Sequence, residues 1–365
     1  MTFSDYLKRI LATVLLLIFL YALWSTRSIL VLAFAAVVIA IAIAQPMHFL
    51  QRRGMKRGLA ATLSILFSFM LVTLLSLWVV PTLGKGVADL VQDVPAAVEI
   101  AKQAYEQFCE NKPVIQSLLP RIPSANFQEA IDAEALKDTF NWLVKSGMAI
   151  APDLLGGIGL ITSILVHLGL VLFISIFFLI DPHSYLTAVL YLIPAHNHKR
   201  FKEVFNILGA TLTKWLNAQL FSVTVIVLLV YILLGVILQM PNAMVVALFA
   251  GFATFIPNIG AVLPLIPITI FTLAYSEPSK LLLYLPVYLA IQFLESNIIT
   301  PQVVKAQLNI PAGYLMLFQL LIIMALGALG LVLAVPILAC LIVFVREVYS
   351  FDVLKLKNIS VQIDD

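Results

Sequence analysis

The sequence predicts an all-α, polytopic membrane protein with about eight membrane segments, including two broken or re-entrant helical hairpins, and a small extracytoplasmic helical domain. Of the 365 residues, 62% are hydrophobic and 11% are charged, and the mean hydropathy is +1.05. Soluble chains carry about a quarter charged residues. Several stretches without Asp, Glu, Lys or Arg are long and continuously apolar, which is typical of spanning helices and not of alternating β-strands. This composition excludes a fully soluble enzyme or nucleic-acid-binding protein.

Three spans come first along the chain. The uncharged stretches cover residues 10–26, 28–51 and 59–84, and a span needs about 20 residues. The first stretch ends without a small-residue cleavage site and a second follows it, so we expect a retained helix and not a signal peptide. Residues 1–84 are therefore predicted to form three N-terminal transmembrane helices.

Residues 85–153 form the next predicted unit, an extracytoplasmic amphipathic helical domain. Apolar residues recur at steps of three and four from Val87 to Phe108, which is the period of an amphipathic helix. A second helix is predicted to begin at Asn126, with Glu129 as its capping partner. We expect both apolar faces to pack on each other or on a neighbouring subunit.

Lysine and arginine predict the orientation, because positive residues in short loops stay on the cytoplasmic side. Such residues cluster before the first span, between the second and third spans, and after the fourth, whereas Arg27 and Lys280 lie in the opposite short loops. Both termini are therefore expected in the cytoplasm. The net acidic segment 85–153 is expected outside.

The C-terminal half contains two uncharged runs that are too long for one crossing. Residues 154–205 are predicted as a fourth transmembrane helix and a cytoplasmic linker, and residues 346–365 as a cytoplasmic tail. Between them, the runs 215–276 and 306–345 would overshoot a bilayer about twofold as single helices. They are expected to break at prolines and glycines, at 239–242, 256–260 and 327–330.

The two broken regions align with each other. An offset of 70 residues places 238–241 on 308–311 and 260–263 on 330–333, with proline and glycine paired. The predicted orientation gives the two units inverted topology, which is transporter architecture. Residues 206–345 are therefore predicted to form a transport core of two helix-hairpin repeats. A break at membrane depth is tolerated only where protein, water or substrate satisfies the freed peptide groups.

A few polar residues in these runs are candidates for a substrate or ion pathway. Glu295 is the only acid between Glu277 and Glu347. It either pairs with Lys305 or caps a hairpin, or it handles substrate or protons, since a buried carboxylate is costly. Asn258 either satisfies its own broken backbone or contacts a ligand. The predicted pathway residues are Gln219, Pro257, Asn258, Gly260, Gln292, Glu295, Asn297, Gly327 and Gly330. No metal site, cofactor or catalytic residue is expected.

Three strings resemble the bacterial autoinducer-2 exporter family of permease-like proteins. They are FIPNIG at 255–260, QFLESNIITP at 292–301 and GALGLVLAVP at 327–336, and the likeness extends from about residue 181 to 345. Two departures are Ala218, where Gly is expected before Gln219, and Lys305-Ala306-Gln307 in place of a Gly-containing string. The resemblance implies a bacterial inner-membrane protein that exports a small polar signal molecule or, as in some members, exchanges cations for protons. It also implies homo-oligomers, for which a pentamer is expected.

Three functions follow from this reading. The first is a secondary transporter that exports a small polar solute, such as an autoinducer-2-like molecule. A sodium/proton antiporter is the second, disfavoured because Glu295 has no second acid nearby in sequence. The third, a non-transporting scaffold, has no need of helix breaks at membrane depth. The expected partners are a small-molecule substrate, the lipid bilayer and other copies of the chain, and not nucleic acid.

Overall fold

The computed structural model describes residues 10–11, 13–15, 17–18, 21–22, 24–111, 158–256, 260–299 and 312–354. Several sequence predictions lie outside these residues, among them the outer helix beginning at Asn126, the pair Pro257 and Asn258, the pairing of Glu295 with Lys305, and the 308–311 part of the repeat alignment. The described residues contain helices and no β-strand, so the all-α fold class is confirmed. Described positions between 10 and 25 are helical.

Nine longer helices follow in the described part of the chain. They are α1 Arg27–Arg52, α2 Arg57–Asn111, α3 Ile158–Ile180, α4 Pro182–Leu190, α5 His198–Val230, α6 Ala243–Ala253, α7 Leu265–Tyr275, α8 Leu281–Leu294 and α9 Ala312–Phe344. Three of them continue into π-helical turns, at Tyr231–Ile237 after α5, Glu295–Ile299 after α8 and Val345–Val353 after α9.

Four segments among the described residues are long and apolar enough to cross a membrane. They are Arg27–Arg52, Arg57–Ala104, Ala195–Ile237 and Leu329–Asp352. A fifth arises if α3 and α4, which bend by 79° at their junction, count as one broken span. The chain is a multi-pass membrane protein, and the count of eight segments stays a prediction.

The bend between α3 and α4 is built by Asp181. Its carboxylate accepts a hydrogen bond from the Ser184 backbone N–H at 3.2 Å and another from the Ser184 hydroxyl. Pro182 follows at the first helical position, where its missing N–H costs nothing. These hydrogen bonds from Ser184, together with the nearby charges of His183 and Arg57, lower the pKa of Asp181.

Helix α2 runs through the predicted boundary between residues 84 and 85 without interruption. It has 55 residues and is therefore about 80 Å long. The stretch predicted as an amphipathic outer helix from Val87 is part of it. Leu90 is 3% exposed and joins the largest hydrophobic core, formed mainly by α5 to α8. The beginning of the predicted outer domain therefore packs on the predicted transport core.

Two smaller cores join the N-terminal helices to the rest. One packs α1 against α5 and α9, around Trp215 and Leu333, and the other packs α1 against α2 and α3. Buried serines add interhelical hydrogen bonds to α1: Ser64 donates to the Ile43 carbonyl at 2.6 Å, and Ser175 donates to the Ala36 carbonyl at 2.9 Å. In lipid, the hydrophobic effect does not drive helices together, so interhelical hydrogen bonds such as these contribute to their association.

The close approach of α2 to α6 gives the first testable prediction. A Cβ atom at Gly86 would overlap the Val245 side chain, whereas one at Gly84 would meet open space. Gly86→Leu is expected to destabilise the protein by about 1–3 kcal/mol, the usual cost of overpacking. Gly84→Leu is the matched control. Thermal unfolding in detergent measures both, and equal midpoints for the two variants would contradict the packing described here.

Candidate functional site

The first helix break lies between α6 and α7. Each of these helices has 11 residues, about 16 Å, which is roughly half the hydrocarbon thickness. Gly260 is buried in the connection and donates its N–H to the Ile256 carbonyl at 2.7 Å. A Cβ atom there would overlap the Ala253 carbonyl oxygen. The break predicted at 256–260 is present, and it requires glycine at position 260.

The second break lies within α9 at Gly327. The backbone there has φ 69° and ψ −159°, outside the helical region and accessible chiefly to glycine. An ideal Cβ built on Gly330 lies 3.2 Å from the Ile322 carbonyl oxygen. Residues eight apart in a straight helix are about 12 Å apart. The helix is therefore interrupted here, as predicted for 327–330, and a re-entrant hairpin at this position stays a prediction.

Side chains from neighbouring helices bind backbone carbonyls at the two breaks and at the end of the π-helical turn before α6. The Tyr288 hydroxyl donates to the Ala261 carbonyl at 3.0 Å, and the Tyr284 hydroxyl donates to the Leu238 carbonyl at 3.3 Å. Both tyrosines are fully buried. At the second break, Arg27 Nε donates to the Ala325 carbonyl at 2.8 Å. Each interruption thus has a carbonyl bound by a side chain of another helix.

Two side-chain contacts connect the middle of α5 to the broken region. Ser222 Oγ donates to Glu295 Oε1 at 3.0 Å, and Gln219 Nε2 donates to Thr254 Oγ1 at 2.9 Å. Thr254 directly follows α6, and Glu295 begins the π-helical turn after α8. π-Helical turns are frequent at functional sites. We call these four residues the α5 polar cluster.

The flanking lysines give the expected depth of the α5 polar cluster in the membrane. Ser222 follows Lys214 by eight residues along α5, about 12 Å, and Glu295 follows Lys280 by fifteen residues along α8, about 22 Å. The two distances are measured from lysines that the sequence analysis places on opposite sides, and together they approximate the 30 Å hydrocarbon thickness. We therefore expect the cluster about a third of the way across from the Lys214 side.

Other predicted pathway residues lie near the end of α8 and at the second break. Gln292 is 8% exposed and lies one turn before Glu295. Asn297 is exposed and donates to the Phe293 carbonyl of its own helix at 2.9 Å. Gly327 is exposed and Gly330 is buried at the second break. Gln219 lies on α5 and binds Thr254, whereas Glu295 binds Ser222 of the same helix.

Sequence reasoning missed several residues of this region. Ser222 binds the predicted Glu295, and Thr254 binds the predicted Gln219. Tyr288 could have been predicted from the sequence as a hydrogen-bond donor, because a buried hydroxyl needs a partner. Gln319, in the part of α9 before Gly327, is 1% exposed, and neither of its amide atoms has a hydrogen-bond partner among the described residues. A lone glutamine in an apolar run was the only available signal.

The described residues contain no group of three or more His, Cys, Asp and Glu side chains that could hold a metal ion. We assign no cofactor to the site. Its chemical groups are hydroxyls, amides, one carboxyl and backbone carbonyls, which form hydrogen bonds to a solute.

A known protein family matches most of the chain. The family model described as AI-2E family transporter matches residues 13–350. A search of curated proteins finds no match. The match includes every predicted pathway residue and all nine helices of the described part of the chain, apart from the last residues of the C-terminal π-helical turn.

The contact of Arg27 with the second break gives a prediction. Arg27→Gln leaves the Ala325 carbonyl without its charged donor, and hydrogen bonds to charged groups contribute about 1.5–3 kcal/mol. We expect a lower thermal midpoint and faster amide hydrogen exchange around residues 322–330. Arg53→Gln, which removes an arginine stacked on Phe49 at the other end of α1, is the control. Unchanged exchange near Gly327 would show that Arg27 does not support the break.

Proposed function

The chain belongs to the AI-2E family of transporters, and on this premise we propose that it is a secondary transporter exporting a small polar solute, such as an autoinducer-2-like signalling molecule, across the bacterial inner membrane. The family match supports transport. Neither the match nor the described residues support a sodium/proton antiporter. The homo-oligomer, and the pentamer in particular, stays a prediction.

The observation that carries this proposal is the α5 polar cluster beside interrupted helices at membrane depth. A charged side chain near the bilayer centre costs about 2.5–3.5 kcal/mol on insertion scales. A structural helix bundle gains nothing from such a group or from interrupted backbone. A transporter gains hydrogen-bonding groups that a solute can use in passage.

The chemistry of the cluster suggests the class of solute. Gln219, Ser222 and Thr254 offer neutral donors and acceptors, and Glu295 adds a carboxyl. An ionised Glu295 repels anions. We therefore propose a small solute that carries hydroxyl or carbonyl groups and no negative charge.

The same contacts suggest how the solute opens its path. Ser222 holds Glu295, and Gln219 holds Thr254 at the end of α6. A solute that replaces these partners releases α5 from the first break and from α8 together. Movement of the short helices α6 and α7 then exposes the cluster to the opposite side of the membrane from the one at which the solute entered. Protonation of Glu295 removes its charge and lowers the cost of that movement.

Export is tested in membrane vesicles of both orientations. Inverted vesicles that contain the protein are expected to accumulate labelled autoinducer-2 or a related polyhydroxylated carbonyl compound, whereas right-side-out vesicles are not. Vesicles without the protein provide the baseline. Accumulation in right-side-out vesicles alone would reverse the proposed direction, and no accumulation of any such compound would remove the proposed solute class.

Coupling through Glu295 is a separate prediction. Glu295→Gln keeps an acceptor for Ser222 and removes the ionisable proton, so we expect transport that persists but no longer depends on a pH gradient. Glu277→Gln, in the turn before α8 where Glu277 accepts from Ser279, is the control and should retain the wild-type dependence. Proteoliposome uptake with and without the gradient measures this. Wild-type gradient dependence in Glu295→Gln would exclude proton coupling at this residue.

Gln319 gives a prediction in which stability and transport change in opposite directions. Gln319→Leu removes a buried amide that has no partner within the described part of the chain, and an unsatisfied buried group costs about 1–3 kcal/mol. We expect a higher thermal midpoint and transport reduced about tenfold or more, since we propose that the amide meets the solute during transport. Gln45→Leu instead breaks the 2.7 Å bond to Asn217 and should lower the midpoint. Wild-type transport by Gln319→Leu would make the amide dispensable.

A further inference from the structure

A large apolar cavity lies beside α5, nearer its N-terminal end than the polar cluster: its α5 lining runs from Phe205 to Leu212, whereas the cluster contains Gln219 and Ser222. Its volume is about 790 Å³, within the range of ligand sites. Side chains from α1, α4 and α5 form most of its wall, including Phe34, Met47, Leu186, Val189 and Leu212. None of the predicted pathway residues lines it, so it is distinct from the site described above.

The cavity is elongated along α1. Its lining begins at Phe34 and ends at Gln51, a distance of about 25 Å along the helix axis. The hydrocarbon of one leaflet is about 15 Å deep. The cavity is therefore long enough for an extended acyl chain together with its polar end.

One end of the cavity is basic. His48, Gln51 and Arg57 line it where α1 ends and α2 begins. A second cavity of about 510 Å³ adjoins this end, shares His48 and Gly209 with the first, and adds Arg52 to the lining. The apolar cavity thus ends at His48 and Arg57, and Arg52 lines the adjoining cavity. Basic residues at the ends of two apolar helices are expected at the level of the lipid headgroups.

One acidic side chain near this end offsets only part of its charge. Asp181 interacts electrostatically with Arg57 and accepts hydrogen bonds from Ser184 as the cap of α4. The loop between α1 and α2 carries four cationic side chains, from Arg52 to Arg57. The basic end therefore retains a positive excess, which attracts an anionic headgroup.

We propose that this groove is a binding site for an anionic phospholipid, with an acyl chain in the 790 Å³ cavity and the headgroup phosphate between His48, Arg52 and Arg57. Arginine binds phosphate with two parallel hydrogen bonds. A second copy of the chain would fill an apolar groove equally well, but it would leave the basic end without an anion. The charge of the opening therefore favours the lipid.

A substitution at Gly209 can block the proposed lipid site. It lines both cavities, and a Cβ atom built on it meets nothing within 4 Å. Gly209→Leu therefore extends into the cavity without an overlap at its first atom. Gly169→Leu, in α3, is the matched control, because Gly169 has the same open surroundings and lines neither cavity.

Native mass spectrometry of the purified full chain tests the proposal, with phosphatidylglycerol and phosphatidylcholine of equal chain length as probes. We expect the wild type and Gly169→Leu to retain phosphatidylglycerol at least about fivefold more than phosphatidylcholine. Gly209→Leu should lose both lipids. Arg57→Gln should lose the preference for phosphatidylglycerol, whereas Arg53→Gln, which lines neither cavity, should keep it. Circular dichroism and elution volume verify that each variant is folded.

Three outcomes would overturn the proposal. The first is equal retention of the two lipids by the wild type. The second is full phosphatidylglycerol retention by folded Gly209→Leu, because the cavity would then not hold the lipid. The third is a changed oligomeric mass in Gly209→Leu with unchanged lipid retention, because the groove would then be an interface between copies of the chain.

Discussion

A peptide group inside hydrocarbon needs a hydrogen-bond partner, and this requirement organises the C-terminal half of the protein. An unbroken helix meets it internally, whereas α6 and α7 end, and α9 breaks, within long apolar segments. Tyr284 and Tyr288 of α8 and Arg27 of α1 supply donors to the carbonyls at these points. The interrupted helices therefore depend on donors from neighbouring helices, while Gly260 and Gly327 permit the breaks themselves.

Helix α5 borders two environments at different positions along its length. Gln219 and Ser222 bind Thr254 after α6 and Glu295 after α8, and residues from Phe205 to Leu212 line the apolar cavity. The polar cluster and the cavity therefore share one helix. With lipid bound as proposed, a shift of α5 would change both, which would give membrane lipid a physical route to influence a transport step.

The sequence predicted the features that follow from local chemistry. Long uncharged runs indicated helices, and Gly260 and Gly327 marked breaks, because glycine alone fits a crowded or left-handed backbone. The partners could not be predicted in the same way. Ser222 and Glu295 are 73 residues apart, and Arg27 and Ala325 are 298 apart, so their contacts depend on tertiary packing. The sequence did not indicate that α2 continues past residue 84. Lys85 suggested a domain boundary, but a charged residue does not interrupt a helix.

Helix α2 has a mechanical consequence. Pro81 and Pro95 lie inside it, and each removes one backbone hydrogen bond and weakens the rod locally. Leu90 is buried between these two prolines, and Ala97 is buried just beyond the second. We therefore expect α2 to bend most easily at Pro81 and Pro95, so that a force along the rod would reach α6 and α7 through a support that can bend at two points.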